Sequence, residues 1–464
     1  MPNSVHVKQL PYLNDGSVYF ETIKSKPYPV FLDSCADTIN SGRYDIIAAA
    51  PSKRIRSKNS VITISSTQST IETDDDTFEV LRKELGPKIK IDSSLPKLPF
   101  YGGAIGYFSY DLGRTIENIP TCIADDLQIP DMEIGIYDWA IVVDHHLQKS
   151  YFVSTNNSEY LTKLYAEITS LCLNSKEVEK TVINGFAIAD QPRWGNDKEY
   201  YLKSIKKIKK YIHDGDCYQV NFTQRLSAHY IGSEWELYKE LRRYNPAPYS
   251  AFIQTDDLSI LSSSPEQFIE LDDNKAITKP IKGTVKRSNC KKQDKIKAEE
   301  LLNSAKNRAE NLMIVDLLRN DLGKVCVPGS IRAEKLFNIE SFENIHHLVS
   351  TITGTLDERS TAIDLIKNCF PGGSITGAPK IRSMEIIEEL EKQRRGIYCG
   401  SIGFISLDGN MNTNIAIRTA ITKNNSIHYW AGGGIVADSD PHDEYEEVLT
   451  KSSAFLSVLN NKLR

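Results

Sequence analysis

The sequence has no run approaching the roughly 18 consecutive apolar residues of a membrane-spanning helix, and its start, MPNSVHVKQLPY, lacks the apolar stretch of a signal peptide. A cytoplasmic location without membrane contact is expected. The eight cysteines (Cys35, Cys122, Cys172, Cys217, Cys290, Cys326, Cys369 and Cys399) stand singly, with no C-x-x-C pair and no cysteine–histidine group at zinc spacing. A disulfide framework and a zinc site are thereby excluded, and reduced thiols are expected. An excess of one charge is missing too: 56 Lys and Arg stand against 61 Asp and Glu, a formal net charge of -5. No global field would recruit nucleic acid or anionic lipid, so any anion site must be local. Repeats of roughly 20–50 residues and low-complexity tracts are also absent, which removes solenoids and propellers.

What is there is a chain of 464 residues, 40% hydrophobic and 25% charged, with ample length for a large core. At roughly 150 residues per domain this means two or three domains, or one large α/β unit. The polar segment 174–196, broken by Gly185, Pro192 and Gly195, marks the expected division between an N-terminal region, 1–175, and a second region, 195–464. In the first region FLDSC and YDIIAAA read as strands, TFEVLRKEL as a helix and IGIYDWAIVVDHHLQKSYFVS as a hairpin. In the second, Tyr201, Ile205, Ile208 and Ile212 recur at helical spacing within 197–214, and Gly215 follows as a stop. Strands are expected at 218–226, 249–254, 259–263, 400–406, 413–421 and 427–431, and helices at about 295–318, 380–391 and 441–460. Strands clustered between long helices, without strict βαβ alternation, predict an α+β sandwich of antiparallel sheets flanked by long helices.

Several segments carry chemistry. Gly432-Gly433-Gly434-Ile435-Val436-Ala437 fits G-x-G-x-x-A, but the chain ends inside the following helix, leaving no second parallel strand for a dinucleotide. FPGGSITGAPK (370–380) lacks the G-K-[ST] ending of a phosphate loop; it is either a loop that hugs a ligand or a plain turn before a helix. A hairpin turning at 272–275 brings the start of one strand, Glu266, to the end of the next, Lys282; with the turn centred on Asn274 the two lie directly opposite. A surface ion pair is the plain alternative. Yet Lys282-Gly283-Thr284 offers a cation, an approachable backbone and a hydroxyl together, which suits an anionic substrate. Asp440 as N-cap and Pro441 at the first helical position set the register of the last helix, placing Glu444, Glu447 and Lys451 on one face. That face is either a solvated acidic stripe or, lying just after AGGG, the seat of a divalent cation bridging substrate and helix; oxygen-only ligands point to Mg²⁺. Glu310, among Ala309, Leu312 and Met313, needs a partner for its charge. His347 in IHHLVSTITG is a core histidine or a site residue.

Taken together, SPE (264–266), PIKGT (280–284), AENLMIVDLLRNDLG (309–323), HHLVS (346–350), FPGGSITGAPK and AGGGIVADSDPHDEYEEV resemble the chorismate-utilising enzymes. The likeness runs across most of 195–455, and FLDS, GRYDI and FYGGAIGYFSYD extend it more weakly into the first half. It implies that fold and an enzyme acting on chorismate. Lys282, where anthranilate-forming members usually carry alanine, implies amination at C4, on the route to p-aminobenzoate and folate. Lys282 would attack C2 as a covalent nucleophile and Glu266 would protonate the departing C4 hydroxyl. Gln219 stands where water-using members carry a base lysine, which implies ammonia rather than water as the second nucleophile. The resemblance further implies Mg²⁺ on Glu310, Glu444 and Glu447. Arg418 and Tyr398 would bind the enolpyruvyl carboxylate with backbone near Gly432 and Gly433, and Gly283, Thr284 and Lys451 would line the pocket. His347 would lie near the C4 hydroxyl. Asn307 departs from the pattern, standing where relatives often carry an acid. No amidotransferase segment is evident, so ammonia would come from a separate glutamine amidotransferase subunit. Ser34, Arg43, Tyr44 and Asp45 resemble the region where relatives bind tryptophan. An anthranilate-forming enzyme and a non-catalytic chorismate or tryptophan sensor are the competing readings.

Overall fold

The structure is a computed structural model and describes residues 4–36, 42–173, 185–341 and 345–460, so part of the expected boundary at 174–196 lies outside it. Among the described residues the strands form two antiparallel sheets, one of 13 strands and one of 12. Both sheets draw on both ends of the chain: Val30–Asp33 pairs with Tyr249–Gln254 in the first, and Gly103–Phe108 pairs with Ser401–Ser406 in the second.

Side-chain alternation builds the layers. Val30, Ile46, Ile253 and Ile260 of the 13-stranded sheet share a buried core with Ile55, Ile105, Ile134 and Ile402 of the 12-stranded one. Their chain neighbours Phe31, Ile47, Phe252 and Leu261 turn to the opposite face of the first sheet, as the two-residue strand period requires. That face is covered by the helices Ser17–Ile23, Glu159–Leu173, Lys198–His213, Glu234–Tyr244 and Pro441–Asn460, which contribute Phe20, Leu164, Ile205, Tyr238 and Val448. The helix Ala305–Gly323 instead sends Ile314, Val315, Leu318 and Leu322 into the core between the sheets. The expected sandwich of antiparallel sheets with flanking helices is the observed fold.

Three local expectations need correction. The segment read as one hairpin contains three strands, Met132–Tyr137, Trp139–Asp144 and Lys149–Ser154. Only the last two form a hairpin, while Met132–Tyr137 belongs to the other sheet. Every residue of Met132–Tyr137 and Trp139–Asp144 is buried, so neither strand shows the polar alternation that would mark a change of sheet. The helix expected at 295–318 is two helices, Lys291–Asn303 and Ala305–Gly323, because Ser304 adopts extended backbone and caps the second one, accepting from Asn307 N at 3.3 Å. The strand expected at 413–421 is likewise two, Met411–Asn414 in one sheet and Thr419–Lys423 in the other.

Candidate active site

Two crossings between the sheets build the site. Ser259–Ser264 lies in the 13-stranded sheet and Gln267–Asp272 in the 12-stranded one, so Pro265 and Glu266 form one crossing. Ile415 to Arg418 form the other, with Arg418 at φ 51°. The crossings run side by side: Ile415 N donates to Glu266 O at 3.0 Å, Ser263 N to Arg418 O at 3.0 Å, and Ser264 Oγ to Ile415 O at 2.6 Å. Glu266, 5% exposed, is thereby held inside the protein.

Lys282 reaches it by a different route from the one expected. Asp272 pairs with Lys275 and Glu270 with Ile277, so the turn is Asp273–Asn274 and the register is one residue off the pairing that would put Glu266 opposite Lys282. The ladder then stops before Pro280, which has no N–H to donate, and Ile281–Lys286 pairs with the strand Ile345–Thr355 instead. There Ile281 faces Val349 and Thr284 faces His347, leaving Lys282 and Gly283 opposite Leu348 alone. This is a β-bulge, and Gly283 takes φ +82° in it, a conformation costly for other residues. Bulges re-aim side chains, and this one turns Lys282 inward, where its Nζ donates to Ser374 O at 3.2 Å.

The Ser374 side chain and the Ile281 N–H lie near the Glu266 carboxyl and favour its charged form. Burial pushes this carboxyl up from its ordinary value, against the lowering effect of Ser374 and the Lys282 charge. Burial likewise pushes the Lys282 ammonium down, against the charges of Glu266 and Glu310. Both displacements favour the neutral forms, an acid able to give a proton beside an amine able to share an electron pair.

Over Gly433, in the strand Ser426–Ile435, the last helix places two carboxylates: a Cβ on that glycine would lie 3.1 Å from Glu444 Oε2 and 3.4 Å from Glu447 Oε1. The helix start is as expected, Asp440 Oδ1 accepting from His442 N at 2.8 Å and from Asp443 N at 3.2 Å. Burial raises the Glu444 carboxyl, opposed by a 2.6 Å hydrogen bond from Ser439 Oγ. Burial also raises Glu447, but Lys451, at 2.6 Å, outweighs it and leaves this carboxyl below its ordinary value. Glu310 is raised by burial while Lys282 and Lys306 pull it down, and it lies in the field of Glu447. Among the described residues no three metal-ligating side chains close into a ready cation cluster. The donors are nonetheless all carboxylate oxygens over an open glycine backbone, which fits a hard divalent cation.

Lys451 Nζ also donates to Gly432 O at 2.9 Å. Thr284 Oγ1 and His347 Nδ1 lie 2.8 Å apart. His347, 2% exposed, is lowered to about 3 by burial and by the charges of Arg418 and His346, so it is neutral. Burial also lowers Arg418. The Tyr398 ring stacks on Trp430 at 5.9 Å. Asn307 lies against the bulge: a Cβ on Gly283 would come within 2.9 Å of its Cγ.

Two participants escaped the sequence reading. Ser374, which engages both Glu266 and Lys282, lies in the quoted FPGGSITGAPK segment, where its hydroxyl and glycine-rich setting were the available signal. Lys306, whose charge acts on Glu310, Glu444 and Glu447, precedes Glu310 by one helical turn.

The residues expected at a tryptophan site lie elsewhere. Ser34, Arg43 and Tyr44 line a cavity of about 480 Å³ together with Tyr249, Glu270 and Met411. Asp45 does not line it; it accepts from Ser34 N and Oγ at 2.9 and 2.7 Å and lies 2.9 Å from His145 Nε2.

A buried acid and a half-buried amine, with carboxylates and a neutral histidine close by, suit a site for a small anionic molecule. The chain matches the family described as chorismate binding enzyme over residues 29–457. It is 42% identical over 454 residues to aminodeoxychorismate synthase component 1 of Salmonella typhimurium, covering 97% of this chain and 98% of that protein. It is 35% identical to anthranilate synthase component 1 of Aquifex aeolicus, covering 96% of this chain and 91% of that one. Among solved structures, anthranilate synthase component I from Streptococcus pneumoniae superposes with a TM-score of 0.78 at 31% identity, covering 89% of this chain and 92% of that one. The menaquinone-specific isochorismate synthase of Escherichia coli shares the fold with a TM-score of 0.72 at 18% identity, covering 98% of this chain and 95% of that one. This chain belongs to the chorismate-binding enzyme family.

Proposed function

We propose that the chain is the chorismate-aminating component of an aminodeoxychorismate synthase, converting chorismate and ammonia to 4-amino-4-deoxychorismate for p-aminobenzoate and folate synthesis. The observation that carries this is the half-buried Lys282 near the buried Glu266, within a chain 42% identical over nearly its whole length to a component 1 of that activity.

An isolated lysine is neutral in only about one part in 10³ at pH 7 and an isolated glutamic acid is as seldom protonated. Neutral amine beside neutral acid is a proton tautomer of the ion pair, so one internal transfer in a desolvated pocket prepares both groups. Lys282 Nζ then forms a bond to C2 of chorismate, the two conjugated ring double bonds shift around the ring from C1=C2 and C5=C6 to C1=C6 and C4=C5, and the C4–O bond breaks as Glu266 gives its proton to the departing hydroxyl, which leaves as water. Ammonia adds at C4, both double bonds shift back and the C2–N bond to Lys282 breaks. Glu266, now a carboxylate, takes up the proton released from nitrogen, and the pair is restored.

Arg418 and Tyr398 would hold the enolpyruvyl carboxylate, Arg by its two-pronged fork, with backbone near Gly432 and Gly433. Thr284 and neutral His347 would border the C4 hydroxyl, and Gly283 and Lys451 would complete the pocket. Glu310, Glu444 and Glu447 would hold Mg²⁺, which when bound supplies positive charge to grip the ring carboxylate. Ammonia would come from a separate glutamine amidotransferase subunit, consistent with relatives named as component 1. Tryptophan is assigned to the cavity at Ser34, Arg43 and Tyr44, and the cytoplasm is the assigned location. Incubating the purified chain with chorismate, Mg²⁺ and ammonium, with and without a lyase that releases p-aminobenzoate, tests the reading. Lyase-dependent p-aminobenzoate supports it; fluorescent anthranilate formed without lyase replaces it with the anthranilate reading.

A further inference from the structure

The loop that presents Ser374 to the catalytic pair is held from behind by a buried guanidinium. Arg395, 1% exposed, donates from Nη1 to Ile375 O at 2.8 Å, from Nη2 to Asn221 O at 2.6 Å, and from Nε and Nη2 to the two oxygens of Glu391 at 2.9 and 2.7 Å. Glu391 is fixed in turn by Thr223, whose N and Oγ1 each donate to Oε1 at 2.8 Å. The ring of Tyr110 faces the guanidinium at 4.6 Å. Asn221 Nδ2 is a second donor on the same Ile375 carbonyl at 2.9 Å, and Asn221 N donates to Thr376 O at 2.9 Å.

The carbonyl that Arg395 grips belongs to the residue after Ser374, whose own carbonyl receives Lys282 at 3.2 Å and whose side chain adjoins Glu266. The geometry points to Arg395 as a positioning residue for amination, seating the Ser374 loop so that Glu266 and Lys282 are held against each other. This rests on the function proposed above. Three directions must be satisfied at once, toward Glu391, Asn221 and Ile375, and only a planar fork spans them; a lysine keeps the charge opposite Glu391 but is a single point. Because the guanidinium is enclosed by protein on every side named here, it touches no substrate and acts only through the loop.

The test is single-turnover conversion of chorismate with enzyme in saturating excess, where the rate constant is independent of the fraction of molecules folded. Arg395→Lys is expected to lower that constant at least ten-fold while the chorismate dissociation constant stays within two-fold, since the carboxylate-binding side chains are elsewhere. Asn221→Ser, which leaves the Arg395–Glu391 pair intact, is expected to act in the same direction by about three-fold, and serves if Arg395→Lys fails to fold. A double variant with Ser374→Gly should lose no more than the larger single loss, because both changes act on one loop. Amide exchange at Thr376 and Gly377 should quicken at least ten-fold in Arg395→Lys, a readout that does not need turnover. A wild-type chain that forms no aminated product would defeat the functional reading, and the exchange measurement would then decide the loop-seating role alone. Unchanged exchange, a rate constant within two-fold of wild type, or losses that multiply in the double variant would overturn the inference.

Discussion

Lys282 and Glu266 meet at one residue: the lysine donates to the backbone carbonyl of Ser374 at 3.2 Å, and the side chain of the same serine acts on the glutamate, favouring its charged form. The two groups come from different sheet neighbours, one from a crossing between sheets and the other from a bulge, and Ser374 holds both ends of their proton exchange. Desolvation displaces each toward its neutral form, and the charge of each group opposes the displacement of the other.

Replacing the amine removes the covalent step while leaving the carboxylate-binding groups in place. Lys282→Ala is expected to lower lyase-coupled p-aminobenzoate formation by about 10³-fold or more, whereas Lys282→Arg keeps chorismate affinity by calorimetry close to wild type. An Ala variant as active as wild type would remove Lys282 from the chemistry.

The carboxylates over Gly433 predict a metal effect that needs no turnover. A ligand that binds the folded state stabilises it by about 2.7 kcal/mol at 100 times its dissociation constant, so millimolar Mg²⁺ should raise the melting temperature and EDTA should reverse the rise. Glu444→Gln should abolish the rise; an identical Mg²⁺ response in that variant would take Glu444 out of the cation site.

Much of this site was legible as residues and little of it as geometry. Asp440 and Pro441 announced the last helix because capping is written locally, and Glu444, Glu447 and Lys451 followed from its period. The convergence of Glu266 and Lys282 was foreseen through a hairpin register that is off by one; a bulge at Gly283 does the work, and a bulge depends on the partner strand Ile345–Thr355, far away in sequence. Arg418 sits at a sheet crossing that a run of strand-forming residues conceals. Arg395, in EKQRRGIY, carries no local signal of burial, and only tertiary packing makes it one of the most buried side chains.

The cleft of about 480 Å³ at Ser34, Arg43 and Tyr44 falls in the size range of small-ligand sites, and its wall mixes apolar and charged side chains. Titration calorimetry with tryptophan should register one site per chain, with a negative heat-capacity change from apolar burial. Absence of heat at millimolar tryptophan would reassign the cavity.

His347 predicts how acid acts on the fold. Burial, with Arg418 and His346 nearby, lowers its imidazole from the ordinary 6.5 to about 3, so between those values the unfolded chain binds a proton that the folded one refuses. Its contribution is therefore complete above pH 6.5 and is lost as pH falls toward 3, by at most about 1.4 kcal/mol per unit. His428, lowered to about 4 by burial and Arg225, adds to the same trend, so the comparison must be with a variant rather than between pH values alone. In melts at pH 7.5 and pH 5, His347→Gln should lose less stability on acidification than wild type, because glutamine can still meet Thr284 but has no proton to exclude. Equal losses in the two proteins would mean that the folded state accepts the proton, and that His347 is charged rather than neutral beside the proposed C4 hydroxyl.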